Sequence, residues 1–325
     1  MIGPVSGHAL NALAAETPIT VERSRCVRHR CTLNACTKCV DVCPVEAITW
    51  TGHSLQVNTS DCTHCLSCLA VCPTGALVSP EFSLLKLLSD LAQHPIPVMG
   101  CQGKPDTQAH ARLPCLGYLA HPEVMTLCAL IFPTGLHLNL TACSDCSNGH
   151  IVNSVITARE RLDGLLPEHS LKLIREEKNL DFVAPEMSRR GMFSLIRKRT
   201  SDAATSMIKR IQEPEKQTSY GDKSVPEFRA LLLRAMKTSA TDVRLKIRDQ
   251  LFGKITFTPE CNRSQRCVGV CPTGAIQPTD DDSGPPAFSP SLCVSCNSCQ
   301  IFCPNQGVLM EKENAGQAQI TIEGE

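Results

Sequence analysis

One cysteine pattern recurs four times in this 325-residue chain, and it constrains the fold more than any other feature. Every copy ends in a cysteine followed by proline, and the endings are alike: VCPVEAI, VCPTGAL, VCPTGAI and FCPNQGV. An internal repeat of this kind implies one structural unit that is used several times. The copies are Cys36-x2-Cys39-x3-Cys43-Pro44, Cys62-x2-Cys65-x2-Cys68-x3-Cys72-Pro73, Cys261-x5-Cys267-x3-Cys271-Pro272 and Cys293-x2-Cys296-x2-Cys299-x3-Cys303-Pro304.

The chain contains 21 cysteines, which leaves two interpretations. They form either a disulfide framework in an oxidising compartment or thiolate ligands for metal in a reducing one. Most of them stand in C-x-x-C runs with a trailing C-P. Disulfide partners need separated positions of suitable geometry. The spacing therefore favours metal ligation, and with it a cytoplasmic location.

The repeats fall into two pairs, and each copy follows a short extended stretch, such as 55–58 or 255–258. We therefore expect one module near each end of the chain. The predicted parts are an N-terminal tail at 1–17, a first module at 18–82, a small domain at 83–165, a helical basic linker at 166–250, a second module at 251–312 and a C-terminal tail at 313–325.

The run C-x2-C-x2-C-x3-C-P resembles that of bacterial-type dicluster ferredoxins. The resemblance implies an α+β fold for each module and one-electron transfer through two adjacent 4Fe–4S clusters. It also implies that three cysteines of one run and the last cysteine of the other hold each cluster. Carried over to this chain, the ligands are those of site 1 (Cys26, Cys36, Cys39 and Cys72), site 2 (Cys43, Cys62, Cys65 and Cys68) and site 3 (Cys271, Cys293, Cys296 and Cys299).

Two cysteines, Cys26 and Cys31, are candidates for the first ligand of site 1. Cys31 stands nearer to the run, but the segment 21–26 aligns with 57–62, so Cys26 ends the same strand as Cys62 does. This alignment favours Cys26. It also predicts an insertion at 27–35 that loops outward, in which Cys31 would be a spare thiol.

The other half of the second module departs from the family pattern. Cys261, Cys267 and Cys303 are present, but Ser264 stands where the second thiolate is expected. This group, site 4, leaves three outcomes open: a 3Fe–4S cluster, a 4Fe–4S cluster with serine oxygen or water on its fourth iron, or no cluster. A serine alkoxide suits this iron less well than a thiolate does. We expect an occupied but altered site.

Between the modules the pattern changes to alternating strands and helices. Apolar spacing predicts helices at 81–92, 122–130 and 151–162, and extended stretches predict strands at 96–99 and 136–140. Such alternation is typical of a small α/β domain.

This domain contains five cysteines, four of which stand in predicted loops. Four such thiols suffice for a 2Fe–2S cluster or a zinc ion. Their order is similar to that in the delta subunit of methyl-viologen-reducing hydrogenases, which implies a two-iron electron relay. A redox dithiol or inert buried thiols are the alternatives. The four form the middle site: Cys101, Cys115, Cys143 and Cys146. The fifth, Cys128, lies in an apolar helix and is expected in the core.

Other features bear on function by exclusion. Basic and acidic residues balance at 32 each, so no global charge points to nucleic acid. We find no apolar run long enough to span a membrane, no secretory signal and no glycine-rich nucleotide motif. The segment 186–250 carries 15 Lys and Arg against 8 Asp and Glu, and a solvated helix face is the simplest explanation. A twin-arginine-like stretch within it, 188–193, is interpreted as part of a basic linker helix.

These observations predict a multi-cluster iron–sulfur protein that relays electrons to or from a redox enzyme or another electron carrier. No general-base, nucleophile or nucleotide motif accompanies the cysteine runs. Two alternatives stay open: an enzyme that acts at the Ser264 site or the middle site, and a maturation or docking factor for a redox enzyme. Clusters that only staple small domains are physically possible but do not explain the pairing.

Overall fold

The computed structural model describes residues 19–165, 167, 170–184, 204–205, 207–208, 223–279 and 284–311. Within these ranges the chain forms helices and small sheets, which agrees with the α+β expectation. The predicted tails at 1–17 and 313–325, the stretch 188–193 and most of the polar part of the linker lie outside the described residues.

The first module consists of short helices and two small antiparallel sheets. Its elements are β1 (Thr20–Val21), α1 (Val27–Arg30), α2 (Lys38–Asp41), β2 (Ile48–Thr51), β3 (Ser54–Val57), α3 (Ser67–Val71) and β4 (Leu77–Val78). The outer strands β1 and β4 pair with each other, and β2 pairs with β3.

The middle domain is a four-stranded parallel sheet with the strand order β6-β5-β7-β8. Its elements are α4 (Leu84–Leu91), β5 (Val98–Cys101), β6 (Ala111–Leu113), α5 (Pro122–Ile131), β7 (Leu136–Asn139), α6 (Ile151–Glu160) and β8 (Leu171–Ile174). The helices and strands expected here are present. The sheet extends to Ile174, so the predicted boundary at residue 165 leaves out its last strand.

Two helices precede the second module: α7 (Glu227–Lys237) and α8 (Thr241–Leu251). Phe228, Leu231 and Leu232 of α7 are buried at helical spacing and join the core shared by the first module and the middle domain. Helix α7 packs against α5. This part of the predicted linker is therefore a core helix.

The second module repeats the strand pairing of the first. Its elements are β9 (Ile255–Phe257), α9 (Arg266–Val270), β10 (Ile276–Gln277), β11 (Ala287–Phe288), α10 (Ser298–Ile301) and β12 (Val308–Met310). Again the outer strands β9 and β12 pair, and the inner strands β10 and β11 pair. Its buried apolar residues form a small core of their own.

The insertion at 27–35 loops outward only in part, since Thr32, Leu33 and Ala35 are exposed, Leu33 at 64%. Val27, Cys31 and Asn34 are buried. The Asn34 side-chain amide donates to the Ser298 hydroxyl of the second module at 3.1 Å. Asn34 is buried at this contact with the second module, which no pattern within the first module could indicate.

Candidate functional site

Three of the cysteine loops share an unusual backbone. In each, the residues on either side of the middle position have positive φ, a conformation that costs non-glycine residues free energy. The pairs are His64 and Leu66 around Cys65, Ser295 and Asn297 around Cys296, and Arg263 and Gln265 around Ser264, with φ between 51° and 61°. Alternation of this kind turns successive backbone N–H groups toward one point and creates a concavity for an anionic group.

The turns after the four Cys-Pro pairs are also alike. The third residue beyond each trailing cysteine has positive φ, and these residues are Glu46, Gly75, Gly274 and Gln306. In three of the turns the next amide donates to the cysteine sulfur. These bonds run from Ala47 to Cys43 (3.2 Å), from Ala76 to Cys72 (3.3 Å) and from Gly307 to Cys303 (3.1 Å). A sulfur that accepts a backbone N–H is stabilised as a thiolate, the form that binds iron.

Site 1 brings Cys26 together with the other three predicted thiols. Burial raises the pKa of the Cys39 thiol to about 12, and the thiols of Cys72, Cys36 and Cys26 act in the same direction. Cys31 is buried at the end of α1. The arrangement supports Cys26 as the ligand, although the ligand role itself stays a prediction.

Sites 2 and 3 are matching cavities. Site 2 is a cavity of about 340 Å³, including the part open to solvent, and site 3 is one of about 300 Å³. All four predicted cysteines line each: Cys43, Cys62, Cys65 and Cys68 in site 2, and Cys271, Cys293, Cys296 and Cys299 in site 3. In both, burial and neighbouring thiols raise the pKa of the third cysteine of the run, Cys68 or Cys299.

Site 4 gathers three thiols and leaves the serine at the surface. Burial raises the pKa of Cys267, and the thiols of Cys261 and Cys303 add to this. Ser264 is exposed, and its amide donates to the Asn262 side chain at 3.2 Å. Cys36 in site 1 has the same arrangement with Asn34, at 3.0 Å. Ser264 thus occupies the position that Cys36 has in the first module.

The middle site brings its four predicted cysteines to one edge of the parallel sheet. Cys101 ends β5, Cys115 follows β6, and Cys143 and Cys146 follow β7, so all four lie at carboxyl ends of adjacent strands. This edge is the usual place for ligands in parallel sheets. Burial raises the pKa of Cys143 to about 11, and the thiols of Cys101 and Cys146 contribute. Cys128 is fully buried in α5.

The middle site adjoins site 2. Burial raises the pKa of Cys115 to about 12, and the Cys65 thiol raises it further, with a larger effect than that of Cys101. Gly117 lies so close to the Cys65 carbonyl that a side chain would not fit there. Burial would raise the pKa of Cys65, but hydrogen bonds from the side chains of His150 and Ser67 outweigh it and lower that pKa.

These thiol groups have the donor chemistry that a bound metal or cluster requires. Four buried thiols cannot all ionise unless a positive group compensates their charge, and iron supplies it. One tetrahedral zinc would need sulfurs about 3.8 Å apart, given Zn–S bonds of about 2.3 Å. Within the described ranges, no three His, Cys, Asp or Glu side chains are arranged to hold a metal ion.

Arg229 of α7 is a functional candidate that the sequence analysis missed. It is 0% exposed and makes a two-pronged ion pair with Glu123 of α5, at 2.5 and 2.7 Å. The same guanidinium donates to the carbonyl oxygens of Ser291 (2.9 Å) and Cys293 (2.8 Å), at the start of the site 3 loop. It thereby ties the second module to the middle domain. The amphipathic spacing of α7 was the one available signal.

Comparison with known proteins finds a family match for one part of the chain. Residues 19–76 match the family model described as a 4Fe-4S dicluster domain. This segment holds sites 1 and 2 and indicates an iron–sulfur electron-transfer role. No curated protein and no solved structure matches the chain significantly. Among the described residues, no helix is both long enough and apolar enough to cross a membrane.

Proposed function

We propose that this protein relays single electrons through several iron–sulfur clusters, to or from a partner redox enzyme or another electron carrier in the cytoplasm. The main support is the repeated loop backbone, which recurs in both modules together with convergent thiols. The dicluster match of residues 19–76 supports the same role for the first module.

The proposed cofactors follow the donor sets. Sites 1, 2 and 3 would each hold a 4Fe–4S cluster through four thiolates. Site 4 would hold a 3Fe–4S or an altered 4Fe–4S cluster at Cys261, Ser264, Cys267 and Cys303. The middle site would hold a 2Fe–2S cluster. When bound, such clusters take up and release single electrons, at potentials that depend on the surrounding hydrogen bonds and burial.

The residues of the chain hold and tune these groups. Backbone N–H groups that donate to Cys43, Cys72 and Cys303 stabilise negative charge on sulfur, which favours the reduced state. The thiols of sites 2 and 3 are buried or half-buried, which limits the access of water to a bound group. The close approach of the Cys115 loop to Cys65 supports a relay between the proposed middle site and site 2.

The decisive test is iron and sulfide quantitation on anaerobically purified protein, combined with electron paramagnetic resonance during a potential titration. We expect three four-iron signals, one three-iron or altered signal and one two-iron signal. Iron-poor, colourless protein would overturn the proposal. Zinc in place of the two-iron signal would overturn the assignment of the middle site alone.

The exposure of Ser264 favours one second candidate, an enzyme acting at site 4. A fourth iron without a thiolate could bind a substrate there. A small molecule that alters the site 4 resonance, and is converted, would support this candidate. If no small molecule tested changed the site 4 spectrum, the enzyme candidate would be rejected and electron relay would be the remaining function.

A further inference from the structure

Asn34 lies where the insertion of the first module meets the second module. The residue is 3% exposed, and both ends of its side-chain amide are used. Its oxygen accepts from the backbone N–H of Cys36, a predicted ligand of site 1, at 3.0 Å. Its nitrogen donates to the Ser298 hydroxyl, beside the site 3 ligand Cys299, at 3.1 Å. One side chain therefore joins the ligand loops of two modules.

Ser298 extends this connection to a sulfur of site 3. Ser298 is 1% exposed. Burial raises the pKa of the Cys296 thiol to about 12, and hydrogen bonds from the Ser298 amide and hydroxyl to that thiol offset part of this increase. The hydroxyl can accept from Asn34 while it donates to sulfur. A buried series of hydrogen bonds thus runs from Cys296 through Ser298 and Asn34 to the amide of Cys36.

The second module contains its own comparison for Asn34. Asn262 accepts from the amide of Ser264 in the same way, at 3.2 Å, but stands exposed at the surface. An asparagine can therefore accept from the backbone N–H two residues later through its side-chain oxygen without being buried. The burial of Asn34 and the donation from its nitrogen are specific to the contact between modules.

A second contact holds the modules on another side. The segment at 223–228 lies between the equivalent turns of the two modules: Pro226 contacts Gly75, and Lys223 contacts Gly274. Lys223 also donates to the carbonyl of Val268 at 2.8 Å, and the Ser224 amide donates to that of Pro272 at 3.0 Å. Two separate contacts define a fixed junction better than one.

We propose that the insertion at 27–35 is an intramolecular docking element, in which Asn34 and Ser298 fix site 1 against site 3 and provide the route for electrons between the modules. This inference rests on the proposed electron-relay function. In the step, one electron leaves the reduced site, which is thereby oxidised, and enters the other, which is reduced. No atom or proton is transferred. Asn34 and Ser298 act as positioning residues.

The test compares Ser298→Ala with Ser67→Ala in the full-length protein with its clusters. Ser67 makes the same hydroxyl and amide bonds to Cys65, but on the first module's own loop. We expect Ser298→Ala to raise the hydrogen-exchange rate of amides in 27–36 about tenfold or more, because it leaves the buried Asn34 amide unpaired. Magnetic coupling between reduced sites 1 and 3 should weaken, while iron content stays unchanged. Ser67→Ala should alter neither the exchange nor this coupling.

Asn34→Ala provides the second variant, which removes the contact from the other side. Equal exchange and unchanged coupling in Ser298→Ala and the unaltered protein would overturn the docking role. Equal effects of Ser67→Ala would overturn it too, since they would reflect the sulfur bond alone. If the unaltered protein contained no clusters, the electron-relay function would be refuted. The hydrogen-exchange rates of the variants would then still show whether the insertion docks on the second module.

Discussion

The two cysteine modules are alike in one half and different in the other. Sites 2 and 3 are cavities of similar size with four thiols in equivalent positions and the same left-handed residues around the middle cysteine. Sites 1 and 4 occupy the other half of each module, and in that half the two modules differ in sequence. Site 1 has an insertion between its first two ligands, whereas site 4 keeps the loop length but has Ser264 in place of a thiol.

This difference indicates which half of each module keeps the same loop structure and which half can vary. The matching half carries the uninterrupted run, whose short loop alone can direct three thiols inward. The other half can be altered without loss of the strand pairing, since β9–β12 and β10–β11 pair as in the first module. In the first module the alteration makes a contact with its neighbour, and in the second it exposes a ligand position.

The largest expected effect comes from the first ligand of site 1. Cys26→Ala should remove one four-iron signal and between about one and four irons per chain, because one iron of the site 1 cluster loses its thiolate and either that iron or the whole cluster is lost. Cys31→Ala should keep both and lower the free energy of unfolding by about 1 kcal/mol, the cost of a small buried cavity. Iron quantitation and paramagnetic resonance on both variants check this. The reverse pattern would make Cys31 the ligand.

A smaller effect is expected from Arg229→Ala, which should make the second module less stable to denaturant than the first. Arg229→Ala leaves Glu123 as an unpaired buried charge and should cost about 3–5 kcal/mol. Because Arg229 also holds the site 3 loop, the site 3 signal should disappear at lower denaturant concentration while that of site 2 holds longer. Lys178→Ala is the control, since its pair with Glu176 is exposed and worth at most about 1 kcal/mol. Parallel loss of both signals would contradict a module-specific role.

The smallest effect is expected from Ser264→Cys, which should give site 4 the same number of thiols as site 1. Ser264→Cys adds the missing thiolate on a loop whose backbone already has the required shape. We expect a gain of about one iron per chain and a four-iron signal in place of the three-iron one. Thr241→Cys, which adds an exposed thiol on α8, should change neither. An unchanged site 4 spectrum in Ser264→Cys would mean that the serine is not at a ligand position.

Much of the fold could be predicted because the information is local. Repeat spacing indicated the strands at 54–57 and 255–257, and apolar periodicity indicated α4, α5 and α6. The middle cysteines could be grouped because four of the five in this domain stand in predicted loops. Their position at the carboxyl ends of one parallel sheet was added by the structure.

What the sequence could not indicate depends on distant partners. Arg229 looks like one more charge on a basic helix, and its burial depends on Glu123, 106 positions earlier. Asn34 looks like a loop residue until Ser298, 264 positions later, covers it. Strand β8 carries no motif and is recognised only by its pairing with β7.

The left-handed residues around Cys65 and Cys296 have a consequence for how the protein is made. Each such residue costs about 1–3 kcal/mol unless its surroundings enforce the conformation. On the proposed assignment of clusters to sites 2 and 3, a newly synthesised chain lacks the group that would enforce it, so these loops should stay open until iron and sulfide are delivered. Oxidative loss of a cluster would release the same loops, and damaged molecules would thereby become easier for proteases to recognise than intact ones.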